Sequence, residues 1–153
     1  MNSMKDSIYV THSVQFHEVD SMGIVHHSQY LLWLEKARFT FAKETIGFSM
    51  KDFENNGFLL PVTKLECKYI KSIKLDQQVR IYIKLIETEI ALVKFCYEVY
   101  DEITKMKLME AVTEQVFVNG EGQLLLKNPE IWKFKIEEMK QKQPHFLTQY
   151  THK

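Results

Sequence analysis

The stretch that most restricts what this chain can fold into is residues 28–46, SQYLLWLEKARFTFAKETI. Tyr30, Leu31, Leu32, Trp33, Leu34, Ala37, Phe39, Phe41, Ala42 and Ile46 point around most of the circumference of a helix. The charged residues Glu35, Lys36, Arg38, Lys43 and Glu44 do not gather into one polar stripe. A helix apolar on nearly all sides is one that other elements enclose. Ser28 suits its N-cap, since a hydroxyl there can accept from a free first-turn amide, and Gly47 is a natural C-terminal stop. Glu35 lies three residues before Arg38, a spacing that lets them pair.

The rest of the chain supplies the enclosure. Residues 11–19 read as a first strand, with Val14 and Phe16 on alternate positions. After a linker at 48–57 with one helical turn, the period changes to two. Residues 63–70, 79–86 and 91–100 alternate in period two, and residues 107–118 read as a fourth long strand ending in Val116, Phe117 and Val118. Short breaks between them predict antiparallel neighbours in a meander or close to one. Asn119 to Gly122 ends the last strand as a turn. Asn128 and Pro129 read as the N-cap and first position of a C-terminal helix to about residue 141, with Trp132, Ile136 and Met139 on one face. The residues outside, 1–10 and 143–153, read as tails.

The expectation is a single α+β domain over 1–153, its core at about 9–120: a five-stranded antiparallel sheet wrapped around one long central helix, with a C-terminal helix added. Its edge strands stay exposed unless a second copy pairs with them across a two-fold axis.

Lys plus Arg and Asp plus Glu each number 20, for a formal net charge of zero. That balance gives no reason to expect nucleic acid or an anionic membrane as a partner. No stretch approaches the roughly 18 apolar residues of a membrane span, and the first residues lack the apolar run of a signal peptide. A cytoplasmic location is expected. Cys67 and Cys96 fit no metal or redox spacing and read as reduced core residues.

Chemistry concentrates at residues 16–38. Asp20 follows the first strand and shortly precedes the helix start, where free amides and a partial positive charge favour a carboxylate or a developing oxyanion. By these residues alone the first reading of Asp20 is a turn residue accepting from its own backbone. Gly23 allows a positive φ or close approach of a ligand. His26 and His27 are adjacent and make a poor chelate, so no metal is expected. No nucleophile-elbow serine or phosphate-binding glycine loop is present. By these residues alone the chain is an enclosed-helix domain with a candidate carboxylate site and no named substrate.

The run VDSMGIVHHSQYLLWLEKAR at residues 19–38 resembles the 4-hydroxybenzoyl-CoA thioesterase-like branch of the hotdog-fold acyl-CoA thioesterases. That family carries an Asp, a Gly three residues on, V-x-H-x-x-Y and a helical E-x-A-R. These are Asp20, Gly23, Val25, His27, Tyr30, Glu35, Ala37 and Arg38 here. A weaker likeness continues to about Val118. The resemblance implies the hotdog fold, dimers or dimer-based tetramers, and hydrolysis of acyl-CoA to free acid and CoA. It needs no cofactor, since CoA is part of the substrate. Asp20 would attack the carbonyl or activate water, and His27 would position water or the carbonyl. Amides near His27 and Ser28 would polarise the carbonyl oxygen. Gly23, Val25, His26, Ser28 and Tyr30 would contact substrate. Phe16 stands where bacterial relatives often have Tyr, and Ser72 where they often have Pro. Hydratases or dehydratases, enzymes directed at acyl carrier protein, and non-catalytic acyl-CoA binders share the fold and stay open as alternatives.

Overall fold

The long helix forms where its residues demand it. In the computed structural model, which describes residues 8–149, α1 runs over Gln29–Phe41 and continues through a wider turn at Ala42–Ile46. Gly47 stops it at a φ of 82°. Strand β1 (Ile8–Ser13) precedes the helix and α2 (Met50–Asn56) follows. Then come β2 (Phe58–Leu59), β3 (Val62–Tyr69), β4 (Gln78–Glu87), β5 (Leu92–Asp101), β6 (Lys107–Val116), β7 (Val118–Asn119), α3 (Glu130–Lys142) and β8 (Leu147–Gln149). The main sheet has the order β1-β4-β5-β6-β3, all antiparallel, with β8 added beside β4.

Strand alternation sorts the two faces as the period-two pattern predicts. Val79, Ile81, Ile83 and Leu85 of β4, with Val93, Phe95, Tyr97 and Val99 of β5, are buried in the core that takes α1. The Phe41 ring meets Phe95 edge-on at 5.5 Å. Phe48, Phe53, Phe58, Phe117 and Trp132 form an aromatic cluster beyond the helix C-terminus.

The structure corrects several details of the sequence reading. Only β4, β5 and β6 form a meander, because β3 pairs with β6 at the far edge and not with β4. Residues 70–77 make this possible: they can reach about 26 Å, against about 14 Å for three strand spacings. The first strand ends at Ser13, and Phe16–Glu18 is a single 3₁₀ turn that leaves Phe16 81% exposed.

Nor is α1 enclosed on all sides. The curled sheet buries Tyr30, Trp33, Leu34, Ala37 and Phe41 but leaves Leu31, Leu32 and Phe39 at 38%, 56% and 44% exposure. Glu35 forms no ion pair with Arg38 among the described residues. The Arg38 guanidinium donates instead to the Tyr97 hydroxyl at 3.2 Å, because the sheet brings that phenol under the helix.

The C-terminal segment is not a plain tail. Beyond the Ile8–Ile83 pair of β1, the edge of β4 at Leu85–Glu87 takes β8 in parallel. α3 starts at Glu130 with Pro129 in the cap position, and the Asn128 Oδ1 that was expected to cap it is buried without a partner. Cys67 and Cys96 are free thiols. They sit opposite successive β6 residues, Ala111 and Val112, so they face opposite sides of the sheet. Burial pushes the Cys96 thiol up to about 11.

Candidate active site

Residues 14–28 connect β1 to α1, and local hydrogen bonds hold them in a narrow loop. Val19 and Val25 pair as an antiparallel bridge, and the Asp20 amide donates to the Ile24 carbonyl at 2.9 Å. Asp20 therefore stands at the base of a tight hairpin. Its carboxylate closes the turn: Oδ1 accepts from the Met22 amide at 2.8 Å and, more weakly, from the Ile24 amide at 3.4 Å. The turn reading of Asp20 is thus correct, and it does not exclude the chemical one. Among the described residues no hydrogen bond reaches Oδ2, and the residue is partly exposed.

Gly23 completes the turn at a φ of 79°, donating its amide to the Asp20 carbonyl at 3.0 Å. A Cβ built there meets nothing within 4 Å. The conformation, not crowding, calls for glycine, and the space beside the turn is open.

The helix entry lies next to this hairpin, because the His26 amide donates to the Glu18 carbonyl at 2.9 Å. Ser28 does not cap the helix as the sequence suggests. Its hydroxyl is 2.7 Å from His26 Nδ1, and its backbone is already helical. The Ser28 amide reaches the same ring nitrogen only at 3.3 Å. No hydrogen bond engages the His27 amide among the described residues. His26 and His27 are exposed and their rings stack at 4.3 Å. The Tyr69 hydroxyl, from edge strand β3, donates to the His27 carbonyl at 3.1 Å and so orients the His27–Ser28 peptide.

Val25 and Tyr30 go into the core, at 5% and 4% exposure. Tyr30 packs against Trp33 and Tyr69, both at 5.0 Å, and burial raises its phenol to about 12. The hairpin thus brings Asp20, Gly23, His26, His27 and Ser28 to one exposed surface and turns Val25 and Tyr30 inward. No three His, Cys, Asp or Glu side chains gather to hold a metal among the described residues. No helix in that range is long and apolar enough to cross a membrane.

Two residues at this site escaped the sequence reading. Tyr69 is one. The other is Glu18, only 3% exposed. Burial alone raises the Glu18 carboxyl, but hydrogen bonds from the Gln15 amide, the Trp33 indole and His12 outweigh it and hold the group below its ordinary 4.5. A depressed carboxyl stabilises the fold above its unfolded value and loses that contribution as pH falls through its folded value. Thermal melts taken downward from neutral pH should therefore show a loss below about pH 4.5 that is smaller in Glu18→Gln than in the wild type. Equal losses would remove Glu18 from the acid response.

A cavity of about 320 Å³ lies at the other end of the sheet, lined by Leu85, Leu92, Trp132, Ile136 and Leu147. The Asp20 hairpin follows the end of β1 that pairs with Gln78, so the length of β4 separates the two.

A long helix laid in a curled antiparallel sheet of this strand order, with a carboxylate hairpin at the helix entry, defines a hotdog-fold protein of the thioesterase type. The chain belongs to the thioesterase-like superfamily, whose family model matches residues 14–144. It is 41% identical over 58 residues to a Bacillus subtilis protein named "Putative acyl-CoA thioesterase YneP", a match to 38% of this chain and 41% of that one. An Aquifex aeolicus "Putative esterase" is 33% identical over 89 residues, 58% of this chain and 69% of that one. Among solved structures, the DHNA-CoA thioesterase of Staphylococcus aureus superposes with a TM-score of 0.79 at 21% identity, covering 94% of this chain and 97% of that one.

Proposed function

We propose that this protein hydrolyses acyl-CoA thioesters to the free acid and CoA. The observation that carries the reading is the Asp20 carboxylate. One oxygen is pinned by turn amides while the other has no partner among the described residues, beside a helix entry whose His27 amide has none either. Membership of the thioesterase-like superfamily and the likeness to the Bacillus protein support it.

In this reading the thioester carbonyl oxygen lies against the amides at the helix entry, where the helix dipole favours developing negative charge. Asp20 then acts in one of two ways. It attacks the carbonyl carbon, expels the CoA thiolate and leaves a mixed anhydride that water opens. Otherwise it takes a proton from water, which attacks in its place. Either route breaks the C–S bond, forms a C–O bond and ends with a protonated CoA thiol and an acid. His27 positions the water or carbonyl, and Gly23 leaves room for the acyl group.

The protein acts as a dimer, or as a tetramer built from two dimers, joined through the exposed face of β3 and α1. It needs no metal or other cofactor.

The test is release of free thiol from short, long, branched and aromatic acyl-CoAs by the purified protein. Turnover of at least one class is expected. A protein that binds acyl-CoA but releases no thiol from any of them would be a binder and not a hydrolase. A change in enoyl absorbance without thiol release would mark a hydratase.

A further inference from the structure

Glu18 does more than fill space. Its carboxylate joins three pieces of chain. Oε1 accepts from the Gln15 amide at 2.8 Å and lies 2.7 Å from His12 Nε2, while Oε2 accepts from the Trp33 indole at 2.7 Å. His12 belongs to β1, Gln15 opens the 3₁₀ turn and Trp33 lies one turn inside α1. The His12 ring also stacks on Trp33 at 4.8 Å. An ionised carboxylate only accepts, so Nε2 of His12 carries the proton in this arrangement.

The main chain of the same residue carries the site. The Glu18 carbonyl receives the His26 amide at 2.9 Å, which sets the helix entry. One residue further on, Val19 pairs with Val25 and closes the Asp20 hairpin. Side chain and backbone of Glu18 therefore tie together the two halves of the proposed site, the Asp20 arm and the His26–Ser28 entry. We infer that Glu18 is a positioning residue for hydrolysis, setting where the Asp20 carboxylate stands relative to the helix-entry amides.

The inference rests on the proposed role of Asp20, and it makes Glu18 act through Asp20 and not on the substrate. Glu18 is buried and is committed to three donors, so it has no reach to a ligand. Glutamine cannot stand in for it. Whichever way the amide turns, its NH₂ faces either the Trp33 N–H or the Gln15 N–H, donor against donor. The local frame must then shift, and a misplacement of about 1 Å at a reacting group costs on the order of 10²-fold in rate.

The experiment is a kinetic cycle on the whole chain: wild type, Glu18→Gln, Asp20→Asn and the double variant. Thiol release is measured at a temperature where melts show each folded. Glu18→Gln should lower kcat on the order of 10²-fold with KM changed only a few-fold. In the Asp20→Asn background the same substitution should cost nothing further, because residues acting as a unit are not additive.

An unchanged kcat in folded Glu18→Gln would overturn the inference. So would a loss that multiplies with that of Asp20→Asn, since an independent or merely structural role multiplies. If Glu18→Gln does not fold, Trp33→Phe takes its place in the cycle: it removes one donor and keeps an aromatic ring. The same two outcomes then decide. Should Asp20→Asn alone keep wild-type activity, the reading of Asp20 fails first, and the cycle shows which of the two was wrong.

Discussion

Asp20→Asn should lower thiol release from acyl-CoA by about 10³-fold while leaving the melting temperature nearly unchanged, the middle of the range for losing one acid–base group. The substitution isolates chemistry from structure unusually well here. Asparagine has the shape of aspartate, and its Oδ1 can still accept from the Met22 and Ile24 amides that close the turn. Gly23 keeps its positive φ, and the Val19–Val25 bridge does not involve the side chain. What disappears is the charge at the second oxygen, and with it both the nucleophile and the base. Initial rates and a melt on the same preparation check this. An Asn variant that turns over like the wild type would exclude Asp20 from the reaction.

Placing Asp at both Phe39 and Leu65 should convert the proposed two-chain particle into single chains. β3 is an edge strand whose outer side pairs with nothing among the described residues. On its helix-facing side Leu65 and Tyr69 are 38% and 48% exposed, and Phe39 on α1 is 44% exposed. Apolar edges of this kind are a template for another copy unless something covers them. Burying a Leu or Phe side chain contributes about 1.5–3 kcal/mol, and a carboxylate in its place adds a desolvation penalty. The pair should weaken association by at least 10²-fold. Sedimentation across a range of chain concentrations reads it directly. A wild type that sediments as one chain at every concentration would dismiss the interface.

Much of this was open to reading in the chain itself, and particular residues show why. The alternation Val79, Ile81, Ile83, Leu85 marks a strand because side-chain direction has period two, and the strand falls where that pattern puts it, with Tyr82, Lys84 and Ile86 buried on its other face as well. Asp20 and Gly23 three apart mark a tight turn for equally local reasons. Glu18 was invisible because two of its three partners, His12 and Trp33, belong to other elements. No pattern in the chain says that an indole fifteen residues on will return to a carboxylate. Ser28 misled because a hydroxyl suited to capping found a nearer partner in His26.

By itself, then, the sequence determined the elements: a long apolar helix stopped at Gly47, four long strands after it, and a carboxylate turn leading into the helix. All of these follow from backbone preference and side-chain period, which act over a few residues. The tertiary structure alone decided who neighbours whom. It sent β3 past β5 and β6 to the far edge, since a connection of that length can reach either side of the sheet. It left Leu31, Leu32 and Phe39 of α1 uncovered, because one sheet curls around only one side of a helix. And it drew Glu18 inward, because a buried carboxylate persists only where donors reach it, here the neighbouring Gln15 amide joined by His12 of β1 and the Trp33 indole of α1.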